Sequence, residues 1–309
     1  MFLGISSCFC RNIGTDLSAV SGTLPVKTTL VMPTIPPYLS EPFVLTDDQI
    51  RSFRENGFIK IKNVLPPELL EHLDQTITRE VIRLNTQHLP LAERDTYGKA
   101  FLQVMNIWKQ SEPAKEIVFS RRLAQIAADL MGVSGVRLYH DQALYKEAGG
   151  GHTPWHADQY YWPLATDKTV TVWIPLQATP LEMGPLEFSA KSHAMNTGRN
   201  LEISDESEAM LGEKLAEAGF EHVVEPFDAG EVSFHSGWLY HRAGANRSGA
   251  MRKVMTMIYM DKNMILKNPE NSNQLDDWNA WCPGAKVGEV VNTPLNPVLY
   301  EKAGLVFSD

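Results

Sequence analysis

Gly230-Glu231-Val232-Ser233-Phe234-His235 is followed after three residues by Leu239-Tyr240-His241-Arg242-Ala243-Gly244-Ala245-Asn246-Arg247. The pair reads as a turn, an apolar strand, a second turn, and the start of another strand that carries His241. Asn246-Arg247-Ser248-Gly249 makes a further turn. Arg252-Lys253-Val254-Met255-Thr256-Met257-Ile258-Tyr259-Met260 then alternates, so that Arg252, Val254, Thr256 and Ile258 share one face. Working outward, short β-rich runs recur near 136–147, 169–178, 185–189, 222–225, 231–235 and 252–261. Gly149-Gly150-Gly151, Gly184-Pro185 and Asp228-Ala229-Gly230 punctuate them.

Before Gly132 the texture is helical. Thr46-Asp47-Asp48-Gln49 is a capping box for a short helix ending before Gly57, and Phe58–Ile61 alternates like a strand. Pro66-Pro67 opens a helix through about Leu84 with Leu69, Leu70, Leu73 and Ile77 on one face. Another runs from Ser120 to Met131, with Gly132 placed as its C-terminal cap. Helices first and antiparallel strands after predict a mainly β fold with flanking helices, a barrel or jelly roll of about 136–262 backed by N-terminal helices. Residues 1–40, rich in Ser, Thr, Pro and Gly, read as a flexible tail, and 41–309 as one domain. One helix, about 205–218, interrupts the strands. Asp205 and Glu208 fit its N-cap and N3 positions and Gly219 its end. Its narrow apolar stripe of Met210, Leu211, Leu215 and Ala218 suggests a weakly docked lid.

The chain has 309 residues, 43% apolar and 21% charged, and a formal net charge of −9. That surplus of carboxylates repels phosphate backbones and argues against nucleic acid as a partner. Cys8, Cys10 and Cys282 make neither a disulfide framework nor a zinc pattern. No apolar run approaches the roughly 20 residues that span a bilayer, and the start, MFLGISSCFC, lacks the basic region of a signal peptide. A cytoplasmic protein with a small-molecule partner and no membrane association is the expectation.

Trp155-His156-Ala157-Asp158 carries the chemistry. Residues i and i+2 of an extended segment point to one side, so His156 and Asp158 can offer an imidazole and a carboxylate to one point. Alone, this spacing is equally that of a surface Asp beside a half-buried His. With His241 from a later strand it completes two histidines and one carboxylate, a set that takes three positions on one face of iron and leaves the others open. Arg252, eleven residues after His241, heads an otherwise apolar face and needs a partner, which a bound dicarboxylate would supply.

In these blocks, and in Gly184-Pro185-Leu186-Glu187-Phe188 leading to Lys191-Ser192-His193, the chain resembles the phytanoyl-CoA dioxygenase family over roughly 43–262. The resemblance implies a double-stranded β-helix of cupin-like type, with Fe(II) on His156, Asp158 and His241. It implies 2-oxoglutarate and O2 as cosubstrates, and Arg252 on the distal carboxylate of 2-oxoglutarate. Gln142 and Trp173 fall where the family places further cosubstrate contacts. The glycine-serine turn common after the last histidine is Arg242-Ala243 here, so a hydroxyl at 243 is missing. The implied reaction is hydroxylation of a small or medium-sized metabolite with formation of succinate and CO2. Asp158 stands where related halogenases have a small residue, which disfavours chlorination. The alternatives are a metal enzyme independent of 2-oxoglutarate and a non-catalytic metal-binding β-barrel.

His235 rivals His241 as a ligand and is expected to be structural. Arg247 rivals Arg252, but lies in a turn. Tyr160, Tyr161 and Trp162 directly follow Asp158. They are candidates for the substrate pocket, with core packing as the bland alternative. His152 and His193 read as loop residues, and Lys99, Gln103 and Asn106 are within possible reach from the helical half.

Overall fold

A computed structural model describes residues 37–302. Cys8, Cys10 and residues 1–36 of the expected tail lie outside the described residues. Pro37–Ser40 is a helical turn (α1) whose Leu39 is 1% exposed within the main core, so the packed chain starts before residue 41.

The helical half holds α2 (Asp47–Asn56), β1 (Phe58–Ile61), α3 (Pro67–Leu84), α4 (Thr96–Ala100), β2 (Leu102–Met105), α5 (Glu112–Val118) and α6 (Arg121–Met131). The capping box at Thr46 and Gln49 forms as the sequence predicts. Ser120 caps α6 and Gly132 ends it in the left-handed conformation. Leu69, Leu70, Leu73 and Ile77 of α3 are all buried in one core cluster with α5, α6 and the outer face of a large sheet. Each such side chain contributes roughly 1.5–3 kcal/mol.

The β half follows as β3 (Gly135–Tyr145), β4 (Thr153–His156), β5 (Thr169–Pro175), β6 (Leu186–Ser189), α7 (Asp205–Glu217), β7 (His222–Val224), β8 (Val232–Ser236), β9 (His241–Ala243), β10 (Val254–Asp261), α8 (Ser272–Trp281) and β11 (Val298–Glu301). Seven strands make one sheet in the order β1-β8-β5-β10-β3-β11, with β2 also on β3. Four make the other, in the order β4-β9-β6-β7. All pairings are antiparallel. The fold is the jelly roll expected.

In the large sheet, Val170, Val172, Ile174, Met255, Met257 and Tyr259 face the helices, while Thr171, Trp173, Thr256 and Ile258 face inward. Period-two alternation thus separates a structural core from a half-polar interior. A β-bulge breaks the alternation in β3. His140 pairs with Ile258 and Leu138 with Tyr259, so Tyr139 is the extra residue and joins His140 on the inner side.

Among the described residues no helix is long and apolar enough to cross a membrane. The helix caps differ from expectation at α7. Its N-cap is Ser204, reciprocally bonded to Ser207. This shift of one residue frees Glu208 from the cap.

Candidate metal centre

β4 runs straight into a short 3-10 turn at Asp158–Tyr161, which brings His156 and Asp158 to one place. β9 lies beside β4, with His156 directly opposite His241. The Nε2 atoms of His156 and His241 are each 3.6 Å from Asp158 Oδ1. Their ring centroids are 4.2 Å apart. All three ligand atoms lie within 4.8 Å of one another. Ligands at about 2.0–2.2 Å from a shared ion would stand at such separations.

Hydrogen bonding prepares each group. His156 Nδ1 donates to the Pro154 carbonyl at 2.8 Å and His241 Nδ1 to the Leu239 carbonyl at 3.0 Å. Those bonds fix the tautomer that leaves both Nε2 lone pairs facing Asp158. Burial and the neighbouring His156 and His235 hold His241 well below the usual histidine range, which keeps it neutral. Burial alone would raise the Asp158 carboxyl. The neighbouring imidazoles of His241, His156 and His235 outweigh burial and keep it well below its ordinary value. Asp158 Oδ2 is occupied by the Thr171 hydroxyl at 2.8 Å and by His235 Nε2 at 3.2 Å. Its Oδ1 is thereby left to face the two histidines. His235, buried on β8, braces the carboxylate from behind instead of converging with the other three.

Arg252 is 2% exposed, its guanidinium donating to the Gly184 carbonyl and lying 5.6 Å from the centre of the Trp173 ring. Arg247 is exposed. Directly across from Arg252 on the next strand stands Lys146, fully buried and paired to it by two backbone hydrogen bonds of 2.8 Å. Lys146 Nζ donates to the carbonyls of Gly151 and Gly244, each at 2.7 Å. Burial and the adjacent Arg252 pull Lys146 down to about 6. Burial alone brings Arg252 down to about 9, still charged at neutral pH. Neither cation forms an ion pair with a carboxylate among the described residues. Gly184 has φ +66, and a Cβ there would collide with the Gly244 carbonyl, so only glycine lets this loop close over Arg252.

Gln142 accepts from Gln103 Nε2 at 2.6 Å, and Gln103 accepts from the Tyr97 hydroxyl at 3.0 Å. Gln103 therefore reaches the interior, on a strand that sequence reading placed in the helical half. Asn106 instead bonds the Asp141 backbone. Tyr161 is half-buried, its hydroxyl accepting from Ile203 N. Tyr160 stacks edge-on against Tyr161. Trp162 is buried against Tyr139 in a core cluster. Lys146, Thr171, His140 and Asp277 went unrecognised. Lys146 left one signal, since it shares the period-two face of Gln142 and Leu144.

The protein-family model for phytanoyl-CoA dioxygenase (PhyH) matches residues 53–254. The chain belongs to this family. Among relatives, a probable alpha-ketoglutarate-dependent hypophosphite dioxygenase of Stutzerimonas stutzeri is 20% identical over 231 residues, covering 69% of this chain and 77% of that protein. Two solved structures share the fold of this PhyH-family chain. The alpha-ketoglutarate-dependent carbocyclase SnoK of nogalamycin biosynthesis has a TM-score of 0.68 at 22% identity, over 84% of this chain and 99% of its own. EctD of S. alaskensis, solved with 2-oxoglutarate and 5-hydroxyectoine, has a TM-score of 0.59 at 18% identity, over 77% and 85%.

Proposed function

We propose that this PhyH-family chain is an Fe(II)- and 2-oxoglutarate-dependent dioxygenase that hydroxylates a small or medium-sized metabolite. The observation that carries the reading is the convergence of two histidine Nε2 atoms and one carboxylate oxygen, each oriented by a second hydrogen bond. The names of its relatives support the cosubstrate, since they include an alpha-ketoglutarate-dependent dioxygenase and an alpha-ketoglutarate-dependent carbocyclase. In this reading His156, Asp158 and His241 hold the iron, and residues 41–309 form one catalytic domain. When bound, iron with 2-oxoglutarate and O2 supplies the oxidising power, with succinate and CO2 as coproducts.

The protein's own part is placement. Arg252 offers a buried cation to the distal carboxylate, with the amine of Lys146 beside it to be charged on binding, and Trp173 forms the wall beside them. Thr171, which touches Asp158, and Trp173, which touches Arg252, are two residues apart, about 7 Å along the strand. A five-carbon dicarboxylate spans that interval. Ala243 lacks a hydroxyl, but Thr153 is paired with it on β4, and its Oγ1 lies 3.5 Å from Lys146 Nζ. Gln142, its carbonyl engaged by Gln103, has its amide N–H free to donate inward. Tyr161, Tyr160 and Trp162 shape and support the substrate side. The buried Arg252 cation and the Lys146 amine beside it, neither with a carboxylate partner among the described residues, favour this reading over a metal enzyme independent of 2-oxoglutarate, which would leave Arg252 uncompensated.

The test is oxygen-dependent succinate formation by iron-loaded protein across a panel of metabolites. No succinate above the Asp158→Ala background with any of them would remove the assignment.

A further inference from the structure

α8 lies beyond the segment matched to the family, and it is fastened to the turn that carries Asp158. Gln274, 3% exposed, donates from its side chain to the Tyr160 carbonyl at 2.9 Å, and Asn273 donates to the Tyr160 hydroxyl at 3.3 Å. Tyr160 belongs to the turn that begins at Asp158, so α8 and the metal ligands are held in one rigid frame. One and two turns further on, α8 carries Asp277 and Trp281, both half-buried, the first against Tyr139 on the inner side of β3.

Among the described residues Asp277 has only neutral hydrogen-bond partners. The Tyr139 hydroxyl donates to it at 3.1 Å, and the Trp281 side chain also bonds it. The charges that act on it are carboxylates, Asp276 and Asp158. Desolvation raises it to about 7, reflecting the missing cation. Both hydrogen-bond partners are aromatic residues, and a third ring, His140, lies against them. The Trp281 ring lies 5.1 Å from that of His140, which itself lies 5.2 Å from Tyr139, and Asp277 also acts electrostatically on Tyr97. His140 is 5% exposed, and its Nδ1 is buried with no hydrogen-bond partner. Burial holds it down at about 4, so it adds no positive charge.

We propose that Asp277 is the substrate-anchoring residue and that the substrate carries a protonated amine. A carboxylate with no cationic partner among the described residues, held beside aromatic side chains, has the recognition chemistry for an alkylammonium group. A neutral or anionic substrate would leave Asp277 desolvated and unpaired. This inference assumes the substrate side assigned under the proposed function and adds the class of molecule that fills it.

Because the substrate is unidentified, the probe is benzylammonium, compared with benzyl alcohol and phenylacetate. Calorimetric titration uses the full metal-free chain, so that no amine coordinates iron. Benzylammonium should bind about tenfold or more tightly than benzyl alcohol, with phenylacetate weakest. Asp277→Asn, which keeps an acceptor for Tyr139 and Trp281, should erase the preference without lowering the melting temperature. Absence of saturable benzylammonium binding, equal affinity for the three probes, or a preference that survives Asp277→Asn would overturn the proposal. The comparison of probes on the native chain stands even if the variant fails to fold. Succinate formation is scored separately. Amine binding without turnover sinks the oxygenase reading alone, and turnover without amine preference sinks only this one.

Discussion

Asp158 has one oxygen for an ion and one for the protein, and this division of labour makes the three surrounding histidines unequal. His156→Ala and Asp158→Ala should each abolish stoichiometric iron, because each deletes a converging ligand atom. His235→Ala removes a brace from Asp158 Oδ2 but leaves the Thr171 hydrogen bond. It should retain one iron per chain with affinity lowered by about tenfold. Metal analysis of desalted protein checks all three, and loss of iron from His235→Ala alone would reverse the assignment. Lys146 brings pH into cosubstrate binding. Its folded value of about 6 leaves it neutral at pH 7.5, and pairing with a carboxylate would recharge it. Binding of 2-oxoglutarate should therefore take up a proton, and its affinity should fall as pH rises above about 6. Titrations in buffers of different ionisation enthalpy read that proton directly, and Lys146→Met should flatten the dependence. Arg252→Ala should weaken 2-oxoglutarate by roughly 2–5 kcal/mol, and the exposed Arg247→Ala by far less.

At the scale of the element, α7 is fixed more firmly than its sequence suggests. Ser207 Oγ donates to the Trp155 carbonyl at 2.9 Å, Glu208 accepts from Trp155 N at 2.8 Å, and Glu208 also pairs with Arg242. Leu211 and Leu215 pack with Trp155 and Tyr240. A helix tied at its first turn to the strand that carries His156 is a support, and the weak docking expected of a lid is not what holds it. Hydrogen exchange over 205–217 should be the same with and without iron and 2-oxoglutarate. Glu208→Ala leaves Trp155 N and Arg242 without their partner, at a cost of about 1–3 kcal/mol, and should raise exchange there while weakening iron binding. An unchanged iron affinity in a loosened helix would separate α7 from the site. The residues explain why this was hidden. Ser204 and Asp205 are both good caps, and only the fold decides between them by where Glu208 must point. α8 escaped for a related reason. Ser272–Trp281 is polar along much of its length, and its attachment by Gln274 is a tertiary contact with no periodic trace. β9 was read from the turn before His241, whereas the four residues of β2 carried no strand signal.

For the whole molecule, long apolar runs made the large sheet legible, since β3, β5 and β10 are each seven residues or longer. The triad was legible because its spacing is local for His156 and Asp158 and set by a turn for His241. Lys146, Thr171 and Asp277 were not, because each depends on which strand or helix lies across from it. Burial also shapes stability. Asp141 is fully buried and raised to about 7 by desolvation, against an ordinary value of 3.8. A carboxyl with a raised folded value contributes its stability below the unfolded value and loses it as pH climbs through the folded one. The stability of the native chain, followed by melting temperature, should therefore fall relative to Asp141→Asn between about pH 4 and 7, by on the order of a few kcal/mol in total. Parallel curves for the two proteins would show that Asp141 does not ionise in that range. The bulge in β3 bears on how such a site can be altered by inheritance. Because Tyr139 is the one residue without a partner on β10, losing its single codon would restore regular pairing and leave Leu138, His140 and Gln142 on the sides they already occupy. The mutation would delete one phenol from the wall beside Asp277 and shift nothing among His156, Asp158 and His241, which stand on other elements. A change of substrate is then one in-frame deletion away from a lineage that keeps its metal chemistry intact.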